Sequence, residues 1–285
     1  MTAAADITTG TLSGIAYWRR PGSDAGTGPG LPLVCLHGIG SRADSFRPML
    51  DGLPADRDVI AWNAPGYGGS DPLPMDWPVE ADYAAALARF LDALGLEQVD
   101  LLGHSLGTLI AARFAADHPE RVGRLVLAAC ACGHGAEPGQ LSDAAAKRIE
   151  DLETQGARAF AEARGPRLLA RPDDRPEARA AVVDAMAAVT MPGYGQAVRM
   201  LASGQLEQSL ARVIAPASIL WGAGDVVTPR AQSERAAAAL GGVEITELPE
   251  TGHALHMETP GAFARALTKA LEAVAPAARQ KERLT

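Results

Sequence analysis

A serine flanked by glycines stands where an apolar, strand-like pattern passes directly into a helical one. Residues 101–109 read LLGHSLGTL, so Gly103 and Gly107 lie two residues to either side of Ser105. In so tight a strand-to-helix turn, side chains at those two positions would collide with the neighbouring backbone, which is why glycine is needed. The turn lifts the serine to a helix N-terminus, where the helix dipole favours developing negative charge. The pattern predicts a nucleophilic Ser105.

A serine hydroxyl is a poor nucleophile unless a base removes its proton and an acid orients that base. Asp225 ends the strand-like stretch ASILWGAGD, and His253 follows the strand-like stretch VEITELPE. The chain order Ser, Asp, His, with the acid and the base each following its own late strand, is typical of one class of serine hydrolase. We therefore predict Ser105 as nucleophile, His253 as general base and Asp225 as the orienting acid.

Two other positions for the acid are less favourable. One would follow the strand that ends AACACG, but no carboxylate occurs there before Glu137. Glu250 is close to His253 in sequence, but it would have to bend back within the same loop to reach the ring. Asp225 remains the preferred acid.

The negative oxygen of an acyl-transfer intermediate needs backbone donors beside the nucleophile. One is expected to be the N–H of Leu106, directly after the serine. HGIG at residues 37–40 follows the first long strand and supplies the N–H of Ile39 as the second. The residues predicted to shape these two turns without taking part in the chemistry are His37, Gly38, Gly40, Gly103 and Gly107.

The candidates for a substrate pocket are His104, Phe46, Trp77, His134 and Arg148. His104 also has a structural interpretation, because neighbouring residues of a strand point to opposite faces. Arg148 and Arg164 have the right chemistry to bind a carboxylate through two guanidinium nitrogens, although most arginines on alanine-rich helices face water. Cys130 and Cys132 have no second pair of ligands nearby for zinc. We predict no metal and no organic cofactor.

These residues need a scaffold, and the alternation of apolar runs with helical patterns predicts a parallel sheet covered by helices on both faces. The predicted strands cover residues 31–38, 58–66, 99–105, 124–130, 217–225 and 243–250, with an earlier strand pair within 11–20. The predicted helices cover residues 45–53, 79–95, 106–118, 229–241 and 260–275. A glycine-rich turn is expected over 22–30 and a loose polar tail after Pro276.

The alternation of strand-like and helical patterns stops between Cys130 and Val213. About 80 residues there show no convincing strand pattern and contain several prolines. Such a stretch predicts several short helices, and the strands of the sheet continue after it. We expect a core domain over residues 1–132 and 213–285, with residues 133–212 inserted as a helical cap before the late strands.

The composition of this 285-residue chain limits the classes of partner that it is expected to bind. Its net charge of −8 argues against nucleic acid or an anionic membrane surface, and a small molecule is the expected partner. No segment reaches the roughly 18 apolar residues of a membrane span, and the first residues do not resemble a signal peptide. Three cysteines cannot form a disulfide framework, which favours a reducing compartment. We expect a cytoplasmic protein; its oligomeric state stays open.

Five motifs together resemble the α/β-hydrolase superfamily. They are HGIG (37–40), NAPGYGGSD (63–71), GHSLG (103–107), WGAGDVVTP (221–229) and PETGHALHMETP (249–260). The resemblance implies an α/β-hydrolase fold, with NAPGYGGSD as a structural loop. Within the superfamily the chain is most similar to 3-oxoadipate enol-lactonases and carboxylesterases, through an Arg-Ile pair at 148–149 followed by Gly156. The tryptophan that these enzymes carry before the first cap helix is absent here.

The resemblance implies hydrolysis of a small carboxylic ester or lactone through an acyl-enzyme. One alternative is C–C bond hydrolysis of the diketones formed by aromatic ring cleavage, although those enzymes have an asparagine-rich turn where this chain has SRADSF. A second is cofactor-free perhydrolysis, the haloperoxidase reaction. A third is a binding protein of the same fold that has lost turnover.

Overall fold

Eight strands form one sheet in the computed structural model, which describes residues 6–23 and 30–273. Their order is β1-β2-β4-β3-β5-β6-β7-β8; β2 runs antiparallel to both of its neighbours, and β3 to β8 are parallel. The strands are β1 Thr8–Leu12, β2 Ile15–Arg20, β3 Leu33–Leu36, β4 Val59–Trp62, β5 Val99–His104, β6 Val122–Ala128, β7 Ala217–Gly222 and β8 Ile245–Leu248. The prediction of a mostly parallel sheet is confirmed.

Helices cover both faces of this sheet, which explains why β3, β4 and β5 are buried along their whole length and why β3 and β4 consist of apolar residues. Alternate residues of β3 enter opposite cores: Val34 packs with α1 Glu80–Ala93 and α2 Leu106–Asp117, whereas Cys35 packs with α9 Pro260–Glu272. Helix α7 Arg230–Ala239 joins the first of these layers.

Most predicted elements are present with slightly different ends. The stretch predicted as a helix over 45–53 is a 3₁₀ helix, Ala43–Gly52, with Pro48 inside it. A proline has no N–H to donate and disfavours a regular α-helix at that point. The predicted turn over 22–30 lies mostly, and the predicted tail after Pro276 wholly, outside the described residues.

Between β6 and β7 the chain forms helices rather than strands. They are α3 Asp143–Arg164, α4 Pro176–Ala187, α5 Gly193–Ser203 and α6 Leu206–Leu210; α8 Leu255–Glu258 follows β8. Gly156, with φ of 77°, kinks α3. Helix α6 contacts α2 and α7 although it falls within the predicted cap, so the division at residues 132 and 213 stays a prediction. No helix in the described ranges is long and apolar enough to cross a bilayer.

Candidate active site

Ser105 occupies a strained turn between β5 and α2. Its φ of 52° and ψ of −117° lie in a region that side chains rarely adopt. A Cβ on Gly103 would lie 2.6 Å from the carbonyl oxygen of Gly107, and a Cβ on Gly107 would lie 2.2 Å from that of Leu36. Both glycines are therefore required by close backbone contacts, as the sequence predicts, and Ser105 is held at the carboxyl edge of the sheet.

Asp225 and His253 meet at the same edge, after β7 and β8. The Nδ1–H of His253 donates to Asp225 Oδ2 over 2.9 Å, and both side chains are buried. Because a carboxylate can only accept, the proton lies on Nδ1, and the Nε2 of a neutral ring is left with a lone pair. The arrangement can therefore accept a proton at Nε2.

The Asp225 carboxylate is saturated with donors. Oδ1 accepts from the backbone N–H groups of Val227 and Thr228 at 2.8 and 2.9 Å, and Oδ2 accepts from the Thr228 hydroxyl at 2.7 Å. Burial raises the pKa of Asp225, but the hydrogen bond and charge of His253 and the Thr228 donors outweigh it, so this pKa lies below its usual value. Asp225 is ionised at neutral pH.

Thr228 is a site residue that the sequence predictions missed. Its hydroxyl lies 3.2 Å from His253 Nδ1 as well as 2.7 Å from Asp225. A local sequence feature could have indicated this role, because an aspartate followed by a threonine three residues later can form a side-chain-to-backbone turn.

Ser105 and His253 line one cavity of about 240 Å³, together with Ile39. Among the described contacts, no hydrogen bond joins Ser105 Oγ to His253 Nε2. Catalytic hydrogen bonds are often long without substrate, so this geometry is compatible with a nucleophile and its base.

The HGIG turn lies directly against the serine. A Cβ on Gly38 would lie 2.9 Å from Ser105 Cβ, and Gly40 has a positive φ of 71°. Within the described part of the chain, the backbone N–H groups of Ile39 and Leu106 donate to no protein acceptor. Two donors that face no partner beside a nucleophile can bind a negative oxygen.

His37 stabilises this turn. Its Nε2 accepts from the N–H of Ala64 at 3.0 Å, so Nδ1 carries the proton and donates to the carbonyl of Gly38 at 2.8 Å. Burial lowers the pKa of His37 to about 4. The ring is neutral and acts as scaffold.

Of the five predicted pocket residues, His134 and Arg148 line the cavity; Arg164, the other arginine considered for binding a carboxylate, lines it too. Phe46 is fully buried and stacks on His256 at a centroid distance of 4.6 Å, because the 3₁₀ helix packs on α8. Trp77 instead donates from Nε1 to the Ser203 hydroxyl at 3.2 Å. The placement of Phe46 and Trp77 in the pocket is therefore corrected.

His104 is likewise not among the described residues that line the cavity. Its Nε2–H donates to the carbonyl oxygen of His253 at 2.8 Å. Burial lowers the pKa of His104 to about 3, so the ring stays neutral. This hydrogen bond supports the structural interpretation, in which His104 anchors the loop that carries His253.

Glu258 provides a second anchor, which no sequence signal indicated. Its buried carboxylate accepts from the backbone N–H groups of Ala170, Arg171 and Gly252 at 3.1, 3.0 and 2.5 Å. Ala170 and Arg171 belong to the segment between β6 and β7, and Gly252 precedes His253. Glu258 thus connects that segment to the His253 loop.

The chain is similar in sequence to known hydrolases. A family model described as alpha/beta hydrolase fold matches residues 32–260. A poly(3-hydroxyalkanoate) depolymerase of Ectopseudomonas oleovorans is 40% identical over 111 residues, which is 38% of this chain and 38% of that protein. A putative carbamate hydrolase RutD of Klebsiella pneumoniae is 28% identical over 260 residues, covering 88% of this chain and 96% of that protein.

Solved structures share the fold at lower identity. An enol-lactonase from Burkholderia xenovorans LB400 has a TM-score of 0.81 at 21% identity, covering 93% of this chain and 100% of that one. An esterase from Thermogutta terrifontis, solved with malate bound, has a TM-score of 0.78 at 24% identity, covering 95% and 98%. At such identities the likeness concerns the fold.

Proposed function

This chain belongs to the alpha/beta hydrolase fold family, and on that premise we propose that it is a serine hydrolase of small carboxylic esters or lactones. The observation that carries the proposal is the His253–Asp225 hydrogen bond beside Ser105 at the wall of one cavity. A buried carboxylate, an oriented imidazole and a strained serine together support nucleophilic catalysis.

In the first half of the reaction, Ser105 Oγ attacks the carbonyl carbon while His253 Nε2 takes its proton. The ionised Asp225 stabilises the resulting imidazolium. The N–H groups of Ile39 and Leu106 bind the tetrahedral oxyanion. The bond to the alkoxide then breaks, His253 returns the proton to the leaving oxygen, and the acyl group remains on Ser105.

In the second half, His253 takes a proton from water as the water oxygen attacks the acyl carbon. The tetrahedral oxyanion again uses Ile39 and Leu106. The bond to Ser105 Oγ breaks, and His253 returns the proton to the serine. The carboxylic acid leaves and the enzyme is regenerated.

The size of the cavity and the names of similar proteins support this choice of substrate. About 240 Å³ lies below the usual range for drug-sized ligands, which favours a small substrate. An esterase and an enol-lactonase are among the similar structures, whereas the carbamate hydrolase is named for a different bond. Cleavage of C–C bonds, perhydrolysis of short acids and binding without turnover stay as alternatives.

The test is steady-state hydrolysis of p-nitrophenyl butyrate by the wild type and by Ser105→Ala. We expect the substitution to lower turnover about a million-fold, because the nucleophile is lost. Ser23→Ala is the matched control, since that serine is exposed, and it should keep wild-type activity. Full activity in Ser105→Ala would refute the proposal.

Comparison of substrates separates the remaining alternatives. Faster cleavage of a ring-opened dienoate than of any ester or lactone would favour the C–C hydrolase. Bromination with acetate and peroxide at a rate above ester hydrolysis would favour the perhydrolase. Failure of Ser105 to react with a fluorophosphonate would favour the binding protein.

A further inference from the structure

Three arginines line the cavity that contains Ser105. They are Arg148 and Arg164, both partly buried on α3, and the exposed Arg167, which follows that helix. No aspartate or glutamate is among the described residues that line the same cavity. The chain as a whole carries a net charge of −8, so this concentration of positive charge runs against its overall composition.

These arginines differ from other arginines of the same segment in having no carboxylate partner. Arg158, on the same helix, pairs with Glu162 and Asp184 at 2.8 and 2.6 Å, and Arg171 pairs with Asp174 at 2.6 Å. Within the described ranges, none of the three cavity arginines forms such an ion pair.

Aromatic groups hold two of the guanidinium groups in place instead. Arg148 donates from Nε to the Tyr194 hydroxyl, and its guanidinium carbon lies 5.4 Å from the centre of that ring. Arg164 lies 5.2 Å from the centre of the Phe160 ring. Such contacts fix the position of a cation without neutralising its charge.

The three charges also act on one another. Burial lowers the pKa of Arg164, and the positive charges of Arg148 and Arg167 lower this pKa further; Tyr194 and the carboxylate of Asp151 act in the opposite direction without reversing the shift. A partly buried cation with two other cations nearby is stabilised when an anion binds between them. The cavity is therefore suited electrostatically to an anionic guest.

We propose that Arg148, Arg164 and Arg167 form a carboxylate subsite, so that the preferred substrate is an ester or lactone that carries a carboxylate. The inference rests on the proposed function and adds a substrate class to it. A guanidinium group can bind a carboxylate through two parallel hydrogen bonds. Arg148 uses Nε for Tyr194, and within the described residues its two terminal nitrogens form no hydrogen bond, so they are available for this purpose.

The test compares esters that differ mainly in one charge. Mono-p-nitrophenyl glutarate is matched with p-nitrophenyl valerate for a carboxylate on the acyl side. For the alcohol side, 3-acetoxybenzoate is matched with 3-methylphenyl acetate. We expect the wild type to have at least a tenfold higher kcat/KM for the charged member of at least one pair, and the responding pair identifies the side that faces the arginines.

Substitutions then assign the preference to the subsite. Arg164→Gln should lower kcat/KM for the preferred charged ester roughly ten- to a hundredfold, the range for a lost charge-assisted hydrogen bond. The neutral ester should change less than twofold. Arg158→Gln on the same helix is the matched control and should change neither. Arg167→Gln, at an exposed position, keeps the test available if Arg164→Gln fails to fold.

A second assay does not depend on substrate hydrolysis: it measures the rate at which a fluorophosphonate labels Ser105. Glutarate should slow this labelling more than glutaramide does, and Arg164→Gln or Arg167→Gln should remove the difference. Equal kinetics within both pairs, together with equal protection, would overturn the carboxylate subsite while leaving the serine hydrolase proposal intact. Loss of the proposed function is distinct, because neither neutral ester would be cleaved and Ser105 would not be labelled.

Discussion

Asp225→Asn should disable the enzyme without unfolding it. The backbone N–H groups of Val227 and Thr228 donate to Oδ1, and an amide oxygen can still accept them. The Nδ2 group would replace Oδ2, which now accepts from the Thr228 hydroxyl and from His253 Nδ1. An NH₂ group can only donate, so it favours the histidine tautomer whose proton lies on Nε2. That tautomer cannot accept the Ser105 proton.

The expected loss follows from this change of tautomer. A wrong tautomer in an intact site lowers kcat about 10⁴-fold, which corresponds to about 5 kcal/mol of transition-state stabilisation. The assay is kcat for p-nitrophenyl butyrate at neutral pH, with urea unfolding to show that the variant remains folded. Asp184→Asn, at an exposed carboxylate on α4, is the matched control and should keep wild-type kcat.

A folded Asp225→Asn variant with kcat within tenfold of the wild type would refute this reasoning. The orienting acid would then lie elsewhere. Glu250 would be a poor substitute, because it is exposed and pairs with Arg171 at 2.8 Å.

Further predictions concern pH and the anchors of the His253 loop. The pKa values of His37 and His104 lie at about 4 and about 3, below the unfolded value near 6.5, so the unfolded chain binds more protons. The free energy of unfolding should therefore fall as pH drops from 6.5 to 4.5, by up to about 1.4 kcal/mol per pH unit for each histidine; equal urea unfolding free energies at pH 7 and pH 5 would contradict this. Glu258→Gln should lower the unfolding free energy by roughly 2 kcal/mol and reduce kcat, since an amide places an NH₂ group against the N–H groups of Ala170 and Gly252. Unchanged thermal unfolding and kinetics would show that this anchor is dispensable.

The grouping of Ser105, Asp225 and His253 was predictable because each of them follows a strand of the parallel part of the sheet. The carboxyl ends of parallel strands lie at one edge of a sheet, so strand patterns before Ser105, Asp225 and His253 suffice to predict that these residues approach one another. The glycines around Ser105 follow from the same turn, and the structure gives the close contacts that require them.

What the sequence could not predict depends on packing between distant segments. Glu258 looks like an ordinary helix residue, and its partners Ala170 and Arg171 precede it by 88 and 87 residues. Phe46 follows the HGIG turn and Trp77 lies in the stretch DPLPMDWPVE, but the directions of their side chains are set by α8 and α5. The sequence suggested Arg148 and Arg164 as carboxylate ligands, but only the folded chain shows that both line one cavity together with Arg167.

Direct detection of an acyl-enzyme tests the central claim. The wild type is mixed with p-nitrophenyl butyrate, quenched in acid within the first turnover, digested and examined by peptide mass spectrometry. We predict a butyryl group on the peptide that contains Ser105, absent from Ser105→Ala. Hydrolysis of the ester with no acyl group on that peptide, or with the acyl group on another residue, would contradict Ser105 as the nucleophile.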